Sequence, residues 1–160
     1  MTQESSFLAA LGKVAAYRLK SGRLELLDAA GKVQLTFSEQ EPLPLVGTTW
    51  VMASFNNGQQ AVVSRLEGVD VTAIFEAGGR VGGSAGCNGY SAEYKVNGES
   101  LTIGQAVSTL MACETPAGVM EQEAAFLKAF ENAAAFKVRG NTLEIYDAGG
   151  VLVVSFSAAS

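Results

Sequence analysis

The sequence predicts a mainly β chain of the α+β class, with one helix per repeat unit and a small curled or barrel-like antiparallel sheet packed on a helix. Three observations carry that expectation. A unit of about 35 residues occurs twice. Short apolar runs at strand period are separated by glycine turns. In the second copy, apolar residues at helical spacing precede those runs.

Shifting the sequence against itself by 119 positions aligns Glu4 with Glu123, Phe7 with Phe126, Leu8 with Leu127 and Tyr17 with Phe136. The match runs on without a gap, Leu24 meeting Leu143, Leu26 Ile145, Asp28 Asp147, Gly31 Gly150 and Phe37 Phe156. Apolar falls on apolar and turn on turn, which marks a duplicated structural unit at residues 4–38 and 123–157. Each copy starts as a helix and ends as a hairpin. In the second, Val119, Phe126, Leu127, Phe130 and Ala134 fall near one helical face, with Glu121, Gln122 and Lys128 elsewhere. Thr115 before Pro116 supplies an N-cap and a preset first turn. Phe136 and Val138, then Leu143 and Ile145, alternate with polar neighbours as strands do. Asp147-Ala148-Gly149-Gly150 makes the turn into the last strand, and Asp28-Ala29-Ala30-Gly31 repeats that chemistry in the first copy.

Residues 39–44 hold two prolines and acidic residues and read as a linker, because proline cannot donate to a strand ladder. Beyond it, residues 50–55, 62–66, 69–75, 80–83, 91–96 and 101–103 read as short strands between Asn-Gly and Gly-Gly turns. Residues 45–157 therefore form one complete domain of strands, a helix and about three further strands. Residues 4–38 are the C-terminal half of a preceding copy, expected to dock on the complete domain or on a second chain, including a homodimer through this half repeat. The run Gly78-Gly79-Arg80-Val81-Gly82-Gly83 lacks the Lys-Ser/Thr ending of a phosphate loop, so a hairpin turn and a close backbone approach are expected there.

Of the 160 residues, 48% are apolar and only 17% charged, enough apolar content for a substantial core. A net charge of -5, with lysine and arginine scattered, offers no footprint for a phosphate backbone and argues against nucleic acid. No apolar stretch reaches the roughly 20 residues of a membrane-spanning helix, and residues 1–10 lack the pattern of a secretory signal. Histidine is absent, which removes Ser-His and Cys-His catalysis and leaves zinc only two soft ligands. Glu114, Glu121, Glu123 and Glu131 cluster about the second helix, where carboxylates ordinarily favour the helix dipole and solvent. Asp28 and Asp147 lack the further oxygen ligands of a calcium loop and read as turn residues. No catalytic residue, metal ligand or cofactor site is assigned.

Two local signatures stand out, Gly86-Cys87-Asn88-Gly89-Tyr90 and Thr109-Leu110-Met111-Ala112-Cys113. Together with Leu45-Val46-Gly47-Thr48-Thr49-Trp50, and with Val119 to Glu123 and Phe126, they resemble the META domain family of HslJ-like heat-shock proteins. The family-motif positions are Gly86, Cys87, Asn88, Met111, Ala112 and Cys113; Trp50 and Phe126 are expected to be structural aromatics of the core. The resemblance implies a compact β-rich domain and no established enzymatic activity. It also implies a stress-related or accessory role in the bacterial cell envelope, periplasmic or outer-membrane-associated, toward a protein or small ligand that the sequence does not specify.

Cys87 and Cys113 are the only cysteines. An even pair at this spacing can form a disulfide worth about 3 kcal/mol on the loop-entropy account, persisting in an oxidising compartment. The alternative is two buried thiols acting as small apolar fillers. With no Cys-x-x-Cys spacing, a redox enzyme is not expected. Two further readings of function are an inhibitor-like module presenting a loop to a hydrolase, and a small enzyme built on carboxylates near Glu114, which requires a polar cleft there.

Overall fold

A computed structural model of the chain describes residues 3–59 and 61–159. The chain divides into two compact units between Glu41 and Pro42, each built around one helix and an antiparallel sheet.

The first unit contains α1 (Gln3–Leu11), β1 (Ala16–Lys20), β2 (Arg23–Leu27) and β3 (Val33–Ser38). The strands form an antiparallel sheet in the order β1-β2-β3, and α1 packs along β3. Ser21 and Gly22 both take positive φ in the β1–β2 turn, the handedness that lets a two-residue hairpin match the twist of its strands. Asp28 closes the next turn by accepting the Ala30 and Lys32 N–H groups at 3.0 and 2.9 Å. The bond from the Lys32 N–H, helped by those from Ala30 and Gln34, holds the Asp28 carboxyl below its ordinary range. No residue of α1 is buried, and Leu27 is the buried apolar residue of this unit among those described.

The second unit runs through β4 (Thr49–Asn56), β5 (Val62–Ser64), β6 (Thr72–Glu76), β7 (Arg80–Ser84), β8 (Gly89–Asn97), β9 (Ser100–Ile103) and β10 (Val107–Ser108). Then come α2 (Val119–Glu131), β11 (Ala135–Arg139), β12 (Thr142–Tyr146) and β13 (Leu152–Ala158). Hydrogen bonding follows the order β8-β7-β6-β4-β13-β12-β11-β9, and β9 pairs back onto β8, so these strands close into an antiparallel barrel. Closure leaves no open edge on that ring. The short strands β5 and β10 attach to β4 and β8 from outside it.

Helix α2 packs against β4, β9 and β13 and fills the core with aromatic rings. Phe126 and Phe130 stack at 5.2 Å, Tyr90 meets both edge-on, and Phe75 and Phe156 close around them. Trp50 and Phe126 are fully buried, and the Trp50 indole N–H donates to the Leu45 carbonyl at 3.1 Å. The glycine run lies where β6 turns into β7: Ala77 to Gly79 form the turn, and a Cβ on Gly83 would collide with the Thr72 carbonyl. That contact is the close backbone approach its composition suggests.

Several local expectations differ from what is seen. Helix α2 starts at Val119 behind Gly118, which sits in the left-handed region at φ 87, and no side chain caps it. Thr115 and Pro116 stand before the helix, where the Pro116 carbonyl takes the Val119 N–H in a turn. Ala134 lies past the helix, which ends where the Asn132 N–H bonds back to the Ala129 carbonyl and the Ala133 N–H to the Phe130 carbonyl. Gln122 and Glu123 are buried rather than solvent-facing, because positions 119, 122, 123, 126 and 130 make one continuous helical stripe. The expected strand over residues 69–75 begins only at Thr72, since the Val69 N–H turns back to the Leu66 carbonyl.

Candidate functional site

Residues 86–88 form the bend between β7 and β8, and residues 109–113 follow β10 on the way to α2. The fold brings the two signatures together, and Glu123 on α2 joins them. Gly86 has φ 122, and a Cβ there would press on Val69 and Val119 at 3.0 and 3.4 Å, so only glycine carries the chain through this bend.

Glu123 and Asn88 are buried and satisfy one another. Glu123 Oε2 accepts the Cys87 and Asn88 N–H groups at 3.1 and 2.7 Å, while Oε1 accepts Asn88 Nδ2 at 2.8 Å. Asn88 Nδ2 also donates to the Met111 carbonyl at 3.0 Å. Its Oδ1 accepts the Thr109 hydroxyl at 2.6 Å and the Met111 N–H at 2.8 Å. Both donors and both lone pairs of the amide are therefore engaged, the full capacity of an asparagine. Cys87 and Cys113 are joined in a disulfide with their Cα atoms 5.9 Å apart. Residues 109–113 are thus held by a covalent bond at one end and by the Asn88 amide through Thr109 and Met111. The Met111 main chain is gripped while its side chain, with Leu110 and Ala112, faces outward.

Trp50 and Phe126 stay in the barrel core, apart from this cluster in role. The four glutamates are not gathered into one site. Glu114 and Glu121 are exposed, Glu131 accepts the Ala106 N–H at 2.8 Å, and Glu123 is taken up by the loop. Sequence reasoning passed over Glu123 and Thr109 as partners of Asn88. The spacing of Glu123 three residues before Phe126, on the buried stripe, was the signal that could have found it. Two residues after Asn88, on β8, Tyr90 donates its hydroxyl to the Thr72 carbonyl at 3.0 Å, and burial pushes its ionisation far above the ordinary tyrosine range.

Beside the first turns of α2 lies an open groove of about 400 Å³ lined by Phe55, Val63, Leu66, Gln122 and Ala125. Gln122 Oε1 accepts the Leu66 N–H at 2.6 Å. Among the described residues no helix is long and apolar enough to cross a membrane.

Solved structures share this fold. An NMR structure of a protein from Burkholderia xenovorans superimposes with a TM-score of 0.58 at 21% identity, covering 78% of this chain and 94% of that one. A crystal structure of a DUF4847 family protein from Bacteroides vulgatus ATCC 8482 gives 0.51 at 16% identity, covering 71% and 93%. No curated protein matches the sequence. The META domain profile matches residues 43–160, the whole barrel with its strapped loop and helix, and the chain belongs to the META domain family.

Proposed function

We propose that this META-domain protein is a non-enzymatic binding module of the bacterial cell envelope, periplasmic or outer-membrane-associated, acting in stress response or as an accessory factor. The observation that carries the reading is the strapped segment 109–113. The disulfide and Asn88 hold its main chain, and Leu110 projects 98% exposed with Met111 beside it. A large apolar side chain presented on a fixed backbone suits a protein contact, since little ordering entropy is lost on binding. The Cys87–Cys113 bond fits an oxidising compartment. The chemically versatile groups nearby, Glu123 and the two cysteines, are already engaged in holding the loop.

Two measurements test the proposal. Thiol alkylation in intact cells, without reductant, should leave both cysteines unlabelled; two labelled thiols per chain overturn the envelope assignment. Leu110→Asp should change stability by less than about 0.5 kcal/mol, as exposed substitutions do, yet reduce capture of envelope partners at least tenfold. Equal capture by both proteins removes the loop from the contact. A second reading, a module presenting this loop to a hydrolase, rests on the same exposed Leu110. A captured hydrolase whose activity is unchanged by binding counts against it.

A further inference from the structure

The first unit, taken by itself, repeats the back half of the second at the offset of 119 residues. β1, β2 and β3 correspond to β11, β12 and β13, and α1 to the body of α2. The registers agree: Leu24 faces Phe37 and Leu26 faces Leu35, as Leu143 faces Phe156 and Ile145 faces Val154. The register shift after Leu26 recurs after Ile145. Asp147 accepts the Gly149 and Val151 N–H groups, both at 2.9 Å, as Asp28 accepts those of Ala30 and Lys32.

The two differ in what covers them. In the barrel, the far edge of β13 pairs with β4, and Phe126, Phe130 and Phe156 are fully buried. Among the described residues, β3 of the first unit pairs with β2 alone. There Phe7, Leu11 and Phe37, which stand at the positions of those three aromatics, are 40%, 43% and 42% exposed. Glu4 stands where Glu123 stands and is exposed, whereas Glu123 receives the Cys87 and Asn88 N–H groups. Gln3 likewise matches Gln122.

We infer that residues 3–38 are a docking face for the front half of another META domain, a polypeptide with the strands of residues 43–121 and a Gly-Cys-Asn loop. Its β4-like strand adds antiparallel to the free edge of β3, its barrel interior covers Phe7, Leu11 and Phe37, and its loop N–H groups reach the Glu4 carboxylate. The molecule itself supplies the template, because residues 43–121 cover the same side chains in the second copy. A second copy of this chain does not satisfy the face by exchange. Its described residues hold two back halves and one front half, so any exchange leaves one back half uncovered.

The test appends a front half to the full chain, joining residues 43–121 directly to Gln3, so that Glu121 precedes Gln3 as it naturally precedes Gln122. A control carries residues 122–157 in place of 3–38 of that fusion. Amides of residues 24–37 should exchange at least a thousandfold more slowly in the fusion than in the parent chain, approaching those of residues 143–156. All four cysteines should be bonded, and Glu4→Gln should cut the gained protection at least tenfold. Unchanged fast exchange over residues 3–38, or a fusion that fails to fold where its control folds, overturns the inference. So does a concentration-dependent dimer of the parent chain in sedimentation with protection spreading over residues 3–38, which would assign the face to a second copy.

Discussion

Asn88 and Glu123 show how two buried polar side chains organise a bend that apolar packing cannot. A buried carboxylate is costly unless its oxygens are met by donors, and Glu123 is met by three. Charge-assisted bonds of this kind are among the stronger ones. Glu123→Gln turns an amide N–H₂ toward N–H donors, so we expect a loss of about 3 kcal/mol in urea unfolding; a loss under about 1 kcal/mol would show that the bend holds without the carboxylate. Tyr90 gives a pH effect of definite sign. Its folded-state ionisation is raised by burial, so its contribution is fully present below the unfolded value near 10 and declines as the pH rises above it. Stability should fall by up to about 1.4 kcal/mol per pH unit above pH 10, and Tyr90→Phe should flatten that slope.

At the scale of elements, the connection from β10 to α2 has little packing of its own, and the disulfide fixes it. Closing a loop with a sequence separation of 26 residues limits the unfolded chain and stabilises by about 3 kcal/mol. Cys87→Ser with Cys113→Ser should lower stability by that amount and open residues 106–117 to proteolysis before the barrel strands are cut. Simultaneous cleavage of loop and barrel would show that the strap has no local role. The sheet elements depend on a different device: the Thr72 end of β6 lies close against its antiparallel neighbour β7 because Gly83 has no Cβ to meet the Thr72 carbonyl.

For the whole molecule, the likeness of residues 3–38 to residues 122–157 provides an internal comparison in which Phe7 matches Phe126 and Phe37 matches Phe156 while their burial differs. Phe126→Ala and Phe156→Ala empty a filled barrel core and should each cost about 3–5 kcal/mol. Phe7→Ala and Phe37→Ala remove half-exposed rings and should change the main urea transition by less than about 0.5 kcal/mol. Comparable losses from both pairs would mean that the first unit shares the cooperative core of the barrel.

The mainly β class, the two helices and the like turns at Asp28 and Asp147 were legible from the sequence, because periodicity and turn chemistry act over a few residues. The two cysteine-bearing signatures were legible as motifs, while whether Cys87 and Cys113 are bonded was not, since bonding depends on Cα atoms brought within reach by the fold. The start of α2 was misplaced because Gly118 in the left-handed region, rather than Thr115, marks its entry. Closure of β9 onto β8, the burial of Glu123 against Asn88 and the cover of Phe126 against the exposure of Phe7 were decided by tertiary structure alone. Similar local sequence forms a helix and a hairpin at residues 3–38 and at residues 122–158, but the burial of Phe126 and Phe156 comes from strands far away in the chain, which local pattern does not reveal.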